Sequence, residues 1–261
     1  MEQNLLEQYA RELYQAEISR APIDPLTERA PGITNEEAYH IQLAGLKLRL
    51  AEGQKVVGRK IGLTSKAMQN ALGVFEPDYG YIPDKLMLLE GEPLVMEGNL
   101  ISPKVEAELA FILARDLKGP GVTLADVLRS TAGVMPALEI IDTRIKNWRI
   151  KIQDSIADNA SLGRIILGGQ LTPLKNIDLR YLGQVVERNG EIVSTAAGAA
   201  VLGHPANAVV WLVNKLALYG IGLQAGEIIM SGSFTAALPV APGDHVQAIF
   251  DHLGSVGVKF K

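Results

Sequence analysis

Residues 103–113 read PKVEAELAFIL, an apolar run in which two carboxylates, Glu106 and Glu108, are separated by a single residue. If this run is a β-strand, successive side chains point to opposite faces, so both glutamates share one face about 7 Å apart at Cα. In a helix the same spacing would turn the two side chains about 200° apart. A strand therefore brings two negative charges together on a partly buried surface.

The composition narrows the class of protein. The chain has 261 residues, of which 48% are hydrophobic and 21% charged, so it can bury a sizeable core as one large domain or two small ones. A net charge of −4 without any Lys/Arg run argues against a nucleic-acid surface. The absence of cysteine excludes disulfides, thiolate zinc sites and cysteine nucleophiles. We find no signal peptide and no membrane-length apolar run, and we predict a cytoplasmic protein that does not bind membranes.

Helices are predicted in the first part of the chain. Residues 4–18 carry apolar side chains at helical spacing, and Thr34 with Glu37 forms the pattern of a capping box. This box predicts a helix from Asn35 to about Glu52. We therefore expect an N-terminal helical subdomain over residues 1–54.

The pattern changes at Lys55, where short β-rich runs begin to alternate with Gly, Pro and Asp turns. The pair Asn189–Gly190 is typical of a β-hairpin turn, and two helices are predicted near 124–130 and 205–219. Because the strands do not alternate regularly with helices, we predict an α+β fold with a mixed or rolled sheet. Residues 55–261 would then form a β-rich catalytic domain.

The paired glutamates raise the question of a counter-charge. Two ionised carboxylates on a buried face repel each other and lose hydration. A third isolated acid, Glu139, lies in VMPALEIID, and three carboxylates would suit Mg²⁺ or Mn²⁺. The alternative is a solvated strand face on which the glutamates pair with Lys104 or Arg115, and the pattern alone leaves both interpretations open.

Four further segments could carry chemistry. Lys60 lies in the glycine-flanked apolar run VVGRKIGLTS, where burial would lower its pKa for acid–base work, although a surface lysine is the simpler interpretation. Asp78 lies in the turn EPDYGY. Residues 154–161, DSIADNAS, could line a pocket or cap a helix, and residues 230–238, MSGSFTAAL, could offer backbone N–H groups to a substrate carboxylate.

The sequence lacks the motifs of several common catalytic and binding sites. The four histidines are scattered without metal-ligand spacing, and Gly-x-Ser-x-Gly is absent. Neither a P-loop nor a dinucleotide-binding glycine pattern occurs. No histidine metal site, hydrolase triad or nucleotide site is therefore expected.

The order of the motifs provides a family resemblance from about Leu5 to Lys261. The motifs are VVGRKIGLTSKAMQ, EPDYGY, PKVEAELAFILARDLKGPGVT, MPALEIIDTRIKNW, IQDSIADNAS, GAAVLGHPANAVVWL and GEIIMSGS. In this order they resemble the 2-hydroxypenta-2,4-dienoate hydratases (2-keto-4-pentenoate hydratases) and the related 4-oxalocrotonate decarboxylases of the fumarylacetoacetate hydrolase superfamily. The resemblance implies a mixed β-roll surrounded by helices.

The resemblance also implies roles for individual residues. Glu106, Glu108 and Glu139 match the metal ligands of the family, for Mg²⁺ or Mn²⁺. Lys60 and Asp78 match an acid–base pair, and Ser161 matches the serine that ends A-D-N-A-S. The family further implies a homo-oligomer that could associate with a sister hydratase or decarboxylase.

The expected activity is hydration of a small 2-hydroxy/2-oxo dienoate, 2-hydroxypenta-2,4-dienoate, to 4-hydroxy-2-oxopentanoate in aromatic meta-cleavage catabolism. Asp78 and the wording RIKNWRIKIQD favour the hydratases, whereas GAAVLGHP and TAALPVAPGD look closer to the decarboxylases, so decarboxylation of 2-oxo-3-hexenedioate stays an alternative. Hydratases of 2-oxohept-4-ene-1,7-dioate are similar too, and Arg59 or Arg144 could then meet the second carboxylate. A non-catalytic partner subunit is the remaining alternative.

Overall fold

The computed structural model describes residues 1–66, 69–70 and 73–261, so the last part of the motif VVGRKIGLTSKAMQ, at Ala67 and Met68, lies outside the described residues. Six α-helices occur in the described ranges: α1 (Gln3–Ser19), α2 (Leu26–Arg29), α3 (Asn35–Ala51), α4 (Leu124–Ser130), α5 (Ile152–Ala157) and α6 (Pro205–Ala217). None of the described helices has the length and apolar character needed to span a membrane.

The predicted helix boundaries agree with the structure to within two residues. The Thr34 hydroxyl accepts a hydrogen bond from the Glu37 backbone N–H, and the Glu37 carboxylate accepts one from the Thr34 N–H, so the capping box that starts α3 is confirmed. The same reciprocal pair, Thr123 with Asp126, starts α4. Short helices α2 and α5 were not predicted, because neither is long enough to show an apolar period.

Twelve β-strands lie in the described ranges. They are β1 (Val56–Gly62), β2 (Asp78–Pro83), β3 (Met87–Leu88), β4 (Lys104–Leu113), β5 (Thr131–Ile141), β6 (Leu162–Leu167), β7 (Gly183–Arg188), β8 (Glu191–Ala197), β9 (Ile228–Met230), β10 (Leu238–Pro239), β11 (His245–Phe250) and β12 (Gly254–Lys259).

These strands form two sheets. The larger has the order β2-β1-β9-β4-β5-β6-β3, with β10 paired to the start of β4, and the smaller has the order β12-β11-β7-β8. Parallel pairs β1/β9 and β3/β6 occur among antiparallel ones, so the larger sheet is mixed and the predicted α+β class is confirmed. Asn189 and Gly190 both have positive φ, 56° and 84°, as the predicted hairpin turn between β7 and β8 requires.

The two faces of β4 have different surroundings. Val105, Ala107, Leu109 and Phe111 point into the main hydrophobic core, which they share with the smaller sheet and with α6. Glu106 and Glu108 lie on the opposite face, where Ala110 joins a small second apolar cluster further along the strand. The alternation predicted from the sequence therefore holds, and it directs the glutamates away from the main core.

The N-terminal helices pack on the elements that border the glutamates. The Gln42 side-chain amide on α3 donates to the backbone carbonyls of Tyr79 on β2 and Ile156 on α5, at 2.8 and 2.9 Å. The rings of Tyr39 and Tyr79 stack with centroids 4.7 Å apart. These helices share the hydrophobic core with the sheet, and the boundary between residues 54 and 55 stays a prediction.

Candidate metal centre and active site

The pairing of β4 with β5 assembles a cluster of three carboxylates. Glu106 lies directly opposite Glu139 in this ladder, and Glu108 follows on the same face of β4. One carboxylate oxygen from each of the three side chains lies within 4.8 Å of the others. Glu108 and Glu139 are fully buried, whereas Glu106 is partly exposed to a cleft. The structure therefore contradicts a solvated strand face.

Burial and mutual repulsion raise the pKa values of the three carboxyl groups in this cluster. Burial, followed by the charge of Glu139, raises the pKa of Glu106 to about 7. Burial and the other two carboxylates raise the pKa of Glu108 well above its usual value. The pKa of Glu139 is raised by burial too, although the Lys60 ammonium opposes the shift. Full ionisation of the cluster therefore calls for additional positive charge.

The oxygens of the cluster fit a divalent cation. Glu108 Oε2 accepts a hydrogen bond from the Gly232 N–H at 2.7 Å, which orients the carboxylate. Among the described residues, no group donates a hydrogen bond to Glu108 Oε1 or Glu139 Oε2, although both atoms are buried. Buried carboxylate oxygens without donors are uncommon in proteins, and an all-oxygen donor set suits Mg²⁺ or Mn²⁺.

Lys60 reaches the cluster from β1. Its Nζ lies 3.0 Å from Glu139 Oε1 and donates to the Ala160 carbonyl at 2.9 Å, and its side chain is 3% exposed. The interpretation as a surface lysine is therefore wrong. The expected lowering of its pKa is wrong too: burial acts in that direction, but Glu139, Asp78 and the other carboxylates raise the pKa above its usual value. Lys60 is a buried ammonium group.

Asp78 lies beside Lys60 at the start of β2, opposite Gly62 of β1. Its Oδ2 accepts a hydrogen bond from the Ser155 hydroxyl at 2.7 Å. A Cβ placed on Gly62 would lie 2.2 Å from Asp78 Oδ1 and 3.5 Å from Lys60 Nζ. Because residue 62 is glycine, there is space for Asp78 and Lys60 to face the cleft. Lys60 forms its ion pair with Glu139 and not with Asp78.

A left-handed turn between α5 and β6 brings Ser161 to the site. Asn159, Ala160 and Ser161 have φ of 52°, 50° and 57°, a conformation that costs an L-residue about 1–2 kcal/mol each. The Asn159 amide group compensates by bonding the Tyr81 backbone N–H and carbonyl at 2.8 and 2.9 Å. The turn aims the Ala160 carbonyl at Lys60, and Ser161 Oγ is buried without a hydrogen-bond partner among the described residues.

A cleft of about 300 Å³ is bordered by Lys60, Asp78, Glu106 and Ser161. Residues 154–161 contribute Ser155, Ala160 and Ser161, which agrees with the predicted pocket lining. Residues 235–237 line it too, but the Gly232 N–H of the same segment bonds Glu108 and is not left for a substrate carboxylate. Trp148 and Ile150 also line the cleft and were missed, because nothing in the local pattern of RIKNWRIKI shows which way these side chains point.

The arginines suggested for a second substrate carboxylate are engaged elsewhere. The Arg59 guanidinium lies 4.5 Å from the Tyr81 ring centroid and 3.4 Å from Glu227. Arg144 is buried, pairs with Asp158 and donates to the backbone carbonyls of Asp142, Asp158 and Leu162. Neither borders the described cleft, so the structure contradicts this expectation.

The mixed curled sheet and the carboxylate cluster on β4 and β5 define a family. Residues 55–261 match the family described as fumarylacetoacetate (FAA) hydrolase, C-terminal. The chain belongs to the fumarylacetoacetate hydrolase family.

Individual relatives are more similar still. A 2-hydroxypent-2,4-dienoate hydratase of Pseudomonas putida is 50% identical over 221 residues, which are 85% of this chain and 100% of that protein. A 2-oxo-hept-4-ene-1,7-dioate hydratase of Escherichia coli is 43% identical over 257 residues, 96% of each chain. The 4-oxalocrotonate decarboxylase of Pseudomonas putida G7, solved with magnesium and adipate, matches with a TM-score of 0.97 at 40% identity, over 100% of this chain and 99% of that one.

These relatives are hydro-lyases and a carboxy-lyase, and the predicted membership of this hydratase and decarboxylase group is confirmed. The chain is an enzyme of the lyase type. The alternative of a non-catalytic partner subunit has no support from them.

Proposed function

We propose that this enzyme hydrates 2-hydroxypenta-2,4-dienoate to 4-hydroxy-2-oxopentanoate in aromatic meta-cleavage catabolism, with Mg²⁺ or Mn²⁺ as cofactor. The observation that carries the proposal is a cluster of three carboxylates, of which Glu106 lines the same cleft as Lys60 and Asp78. The 50% identity to a 2-hydroxypent-2,4-dienoate hydratase supports the substrate class.

Glu106, Glu108 and Glu139 would hold the cation. A divalent ion bound there supplies Lewis-acid stabilisation of the negative charge that develops on the 2-oxo oxygen of the substrate. The Gly232 N–H orients Glu108, and the Lys60 ammonium balances part of the charge of Glu139.

Lys60 and Asp78 would act as acid and base. The Lys60 ammonium is protonated at rest because carboxylates surround it, so we assign it to deliver a proton to C5 of the dienol, and the proton released from the 2-hydroxyl group restores it. The Asp78 carboxylate, held by the Ser155 hydroxyl at Oδ2, directs Oδ1 towards the space beside Gly62. We assign this oxygen to take a proton from the water molecule whose oxygen bonds to C4, and to return that proton to C3 of the resulting enolate. Ser161 would hydrogen-bond the substrate, because its buried hydroxyl borders the cleft.

The test is turnover of 2-hydroxypenta-2,4-dienoate by purified protein with Mg²⁺, followed by product analysis. We expect 4-hydroxy-2-oxopentanoate, complete loss of activity in EDTA and its recovery with Mg²⁺ or Mn²⁺. An unchanged rate after removal of the metal would contradict the proposal.

Decarboxylation of 2-oxo-3-hexenedioate is the second candidate, because the structural match to a 4-oxalocrotonate decarboxylase covers the whole chain. That reaction loses CO₂ and needs no base for water. Asp78→Asn should therefore abolish hydration while sparing decarboxylation. Release of CO₂ from 2-oxo-3-hexenedioate, without hydration of the dienoate, would reverse the order of the two candidates.

Three finer features stay predictions beside this function: a homo-oligomeric state, association with a sister hydratase or decarboxylase, and a cytoplasmic location. They are supported by the family resemblance of the motifs. Size-exclusion chromatography with light scattering would measure the first directly.

A further inference from the structure

The side chain of Gln42 on helix α3 connects the two segments that carry Asp78 and Ser155. It is 3% exposed, and its amide nitrogen donates to the backbone carbonyls of Tyr79 and Ile156 at 2.8 and 2.9 Å. Because both partners can only accept hydrogen bonds, the amide nitrogen and not the amide oxygen must face them. One buried amide group therefore ties strand β2 to helix α5.

The two carbonyls belong to the residues that directly follow the proposed base and its hydrogen-bond partner. Tyr79 follows Asp78 on β2, and Ile156 follows Ser155 in α5. The Ser155 hydroxyl donates to Asp78 Oδ2 at 2.7 Å. A link one residue away from each member of this pair fixes the separation of the two backbones, and this separation determines where the carboxylate lies.

A second contact from α3 restrains the same strand. Tyr39 precedes Gln42 by three residues and lies on the same face of the helix. Its ring stacks on the ring of Tyr79, with centroids 4.7 Å apart. Burial, followed by the charge of Asp78, raises the pKa of Tyr39, as expected for a phenol close to this carboxylate. Helix α3 therefore holds the start of β2 through both the backbone and the ring of Tyr79.

We propose that Gln42 is a positioning residue, which fixes β2 against α5 and so holds the Asp78 carboxylate in place for proton transfer at C3 of the substrate. The inference rests on the proposed function for the role of Asp78. In the part of the chain that the structure describes, Gln42 is not among the residues that line the cleft, so it acts through Asp78 and Ser155. The N-terminal helices then contribute to the rate of the reaction and not only to the core.

Hydrogen exchange at C3 of 2-oxopentanoate isolates this proton transfer from hydration. The Asp78 carboxylate would take a proton from C3, and the electrons of that C–H bond would form the C2–C3 double bond of an enolate. A deuteron from the solvent would then be delivered to C3 as the enolate returns to the 2-oxo acid. Proton NMR in D₂O with the Mg²⁺-loaded protein measures the rate, and Asp78→Asn should abolish it.

Gln42→Met keeps the volume of the side chain but removes both hydrogen-bond donors. We expect it to lower the exchange rate at saturating 2-oxopentanoate by about tenfold or more, because a small displacement of a reacting group is costly. The KM and the affinity for Mg²⁺ should stay unchanged, since Gln42 belongs neither to the cleft lining nor to the carboxylate cluster.

Two further variants separate positioning from a loss of stability. Gln42→His can restore one of the two bonds through a ring N–H and should recover part of the rate. Asn214→Leu is the matched control, because the Asn214 amide bonds the backbone of Gly121 and Val122 outside the cleft. Its loss should lower the melting temperature without changing the exchange rate.

A double-mutant cycle with Ser155→Ala tests the route of the effect. If Gln42 acts through the hydrogen bond between Asp78 and Ser155, the two losses of rate are coupled, and the double variant should be no slower than the slower single variant. Losses that multiply would assign Gln42 a general structural role and overturn the inference.

Three other results would also overturn it. They are an unchanged exchange rate in Gln42→Met, an equal loss of rate in Asn214→Leu, and no C3 exchange by the unmodified protein. Should Gln42→Met fail to fold, Gln42→His provides the same cycle. Failure of dienoate hydration together with exchange that depends on Gln42 would reject the proposed reaction and not the positioning role.

Discussion

Single carboxylates determine what the site can bind. Glu108 and Glu139 are completely buried and each keeps one oxygen without a donor among the described residues. Such groups are stable as anions only beside a cation, so each ligand should be separately necessary for metal binding.

Glu139→Gln should lower the affinity for Mg²⁺ by at least about 100-fold, because an amide keeps the volume but removes the charge. Titration calorimetry measures the affinity. The control is Glu227→Gln, a partly buried glutamate that pairs with Arg59 outside the cluster. If Glu139→Gln bound Mg²⁺ as tightly as the unmodified protein does, Glu139 would be excluded as a ligand.

Metal binding should depend on pH through Glu106. Because burial and Glu139 raise the pKa of Glu106 to about 7 in the metal-free protein, protons compete with the cation below that pH. The affinity for Mg²⁺ should rise by about tenfold per pH unit on approaching 7, and because the pKa of Glu108 is raised as well, the rise should extend above that pH. Calorimetric titrations on both sides of pH 7 measure the slope, and a flat profile below 7 would contradict it.

At the scale of elements, the pairing of strands and one unusual turn place the acid–base groups. The β1/β2 register sets Gly62 against Asp78, and the left-handed turn 159–161 sets the Ala160 carbonyl against Lys60. Both arrangements depend on backbone geometry that a single substitution can disturb.

Gly62→Ala should reduce kcat by about 100-fold, since the new methyl group would lie 2.2 Å from Asp78 Oδ1 and displace the carboxylate. Steady-state kinetics at saturating Mg²⁺ would show the loss. Gly45→Ala is the matched control, because a Cβ at Gly45 in helix α3 meets nothing within 4 Å. Equal activity of the two variants would mean that Asp78 can move without consequence.

Asp158→Asn should lower the free energy of unfolding by about 3–5 kcal/mol, because it leaves the Arg144 guanidinium buried without its counter-charge. Urea denaturation measures this change. Asp24→Asn removes an exposed partner of Lys146 and Arg149 and should change stability far less. Asp158 directly precedes the 159–161 turn. Equal stabilities of the two variants would show that the buried Arg144–Asp158 pair does not stabilise the fold at this turn.

At the scale of the whole molecule, the N-terminal helices complete the core rather than sit beside it. Beyond Gln42, the Thr27 hydroxyl donates to Asp154 at 2.7 Å, and the Ile23 N–H donates to the Arg144 carbonyl at 2.9 Å. The segment therefore fixes α5 and the loop that carries Trp148.

A fragment of residues 55–261 should fail to fold cooperatively, because it would expose the apolar surface that α1 and α3 cover. Near-ultraviolet circular dichroism and thermal melting of the fragment, compared with the full chain, would show this. A sharp melt with retained Mg²⁺ binding would instead make residues 1–54 a separable subdomain.

Local rules in the sequence determined a large part of this protein. The two-residue period of β4 placed Glu106 and Glu108 on one face, and the capping box at Thr34 located α3, since both depend only on neighbours along the chain. The tertiary structure decided what these faces meet. Three features join segments that are distant in sequence. They are the register that places Glu106 opposite Glu139, the carboxylates that raise the pKa of Lys60, and the packing of Trp148 over Lys104. No local pattern encodes such pairings, because they depend on how the whole sheet and its loops pack.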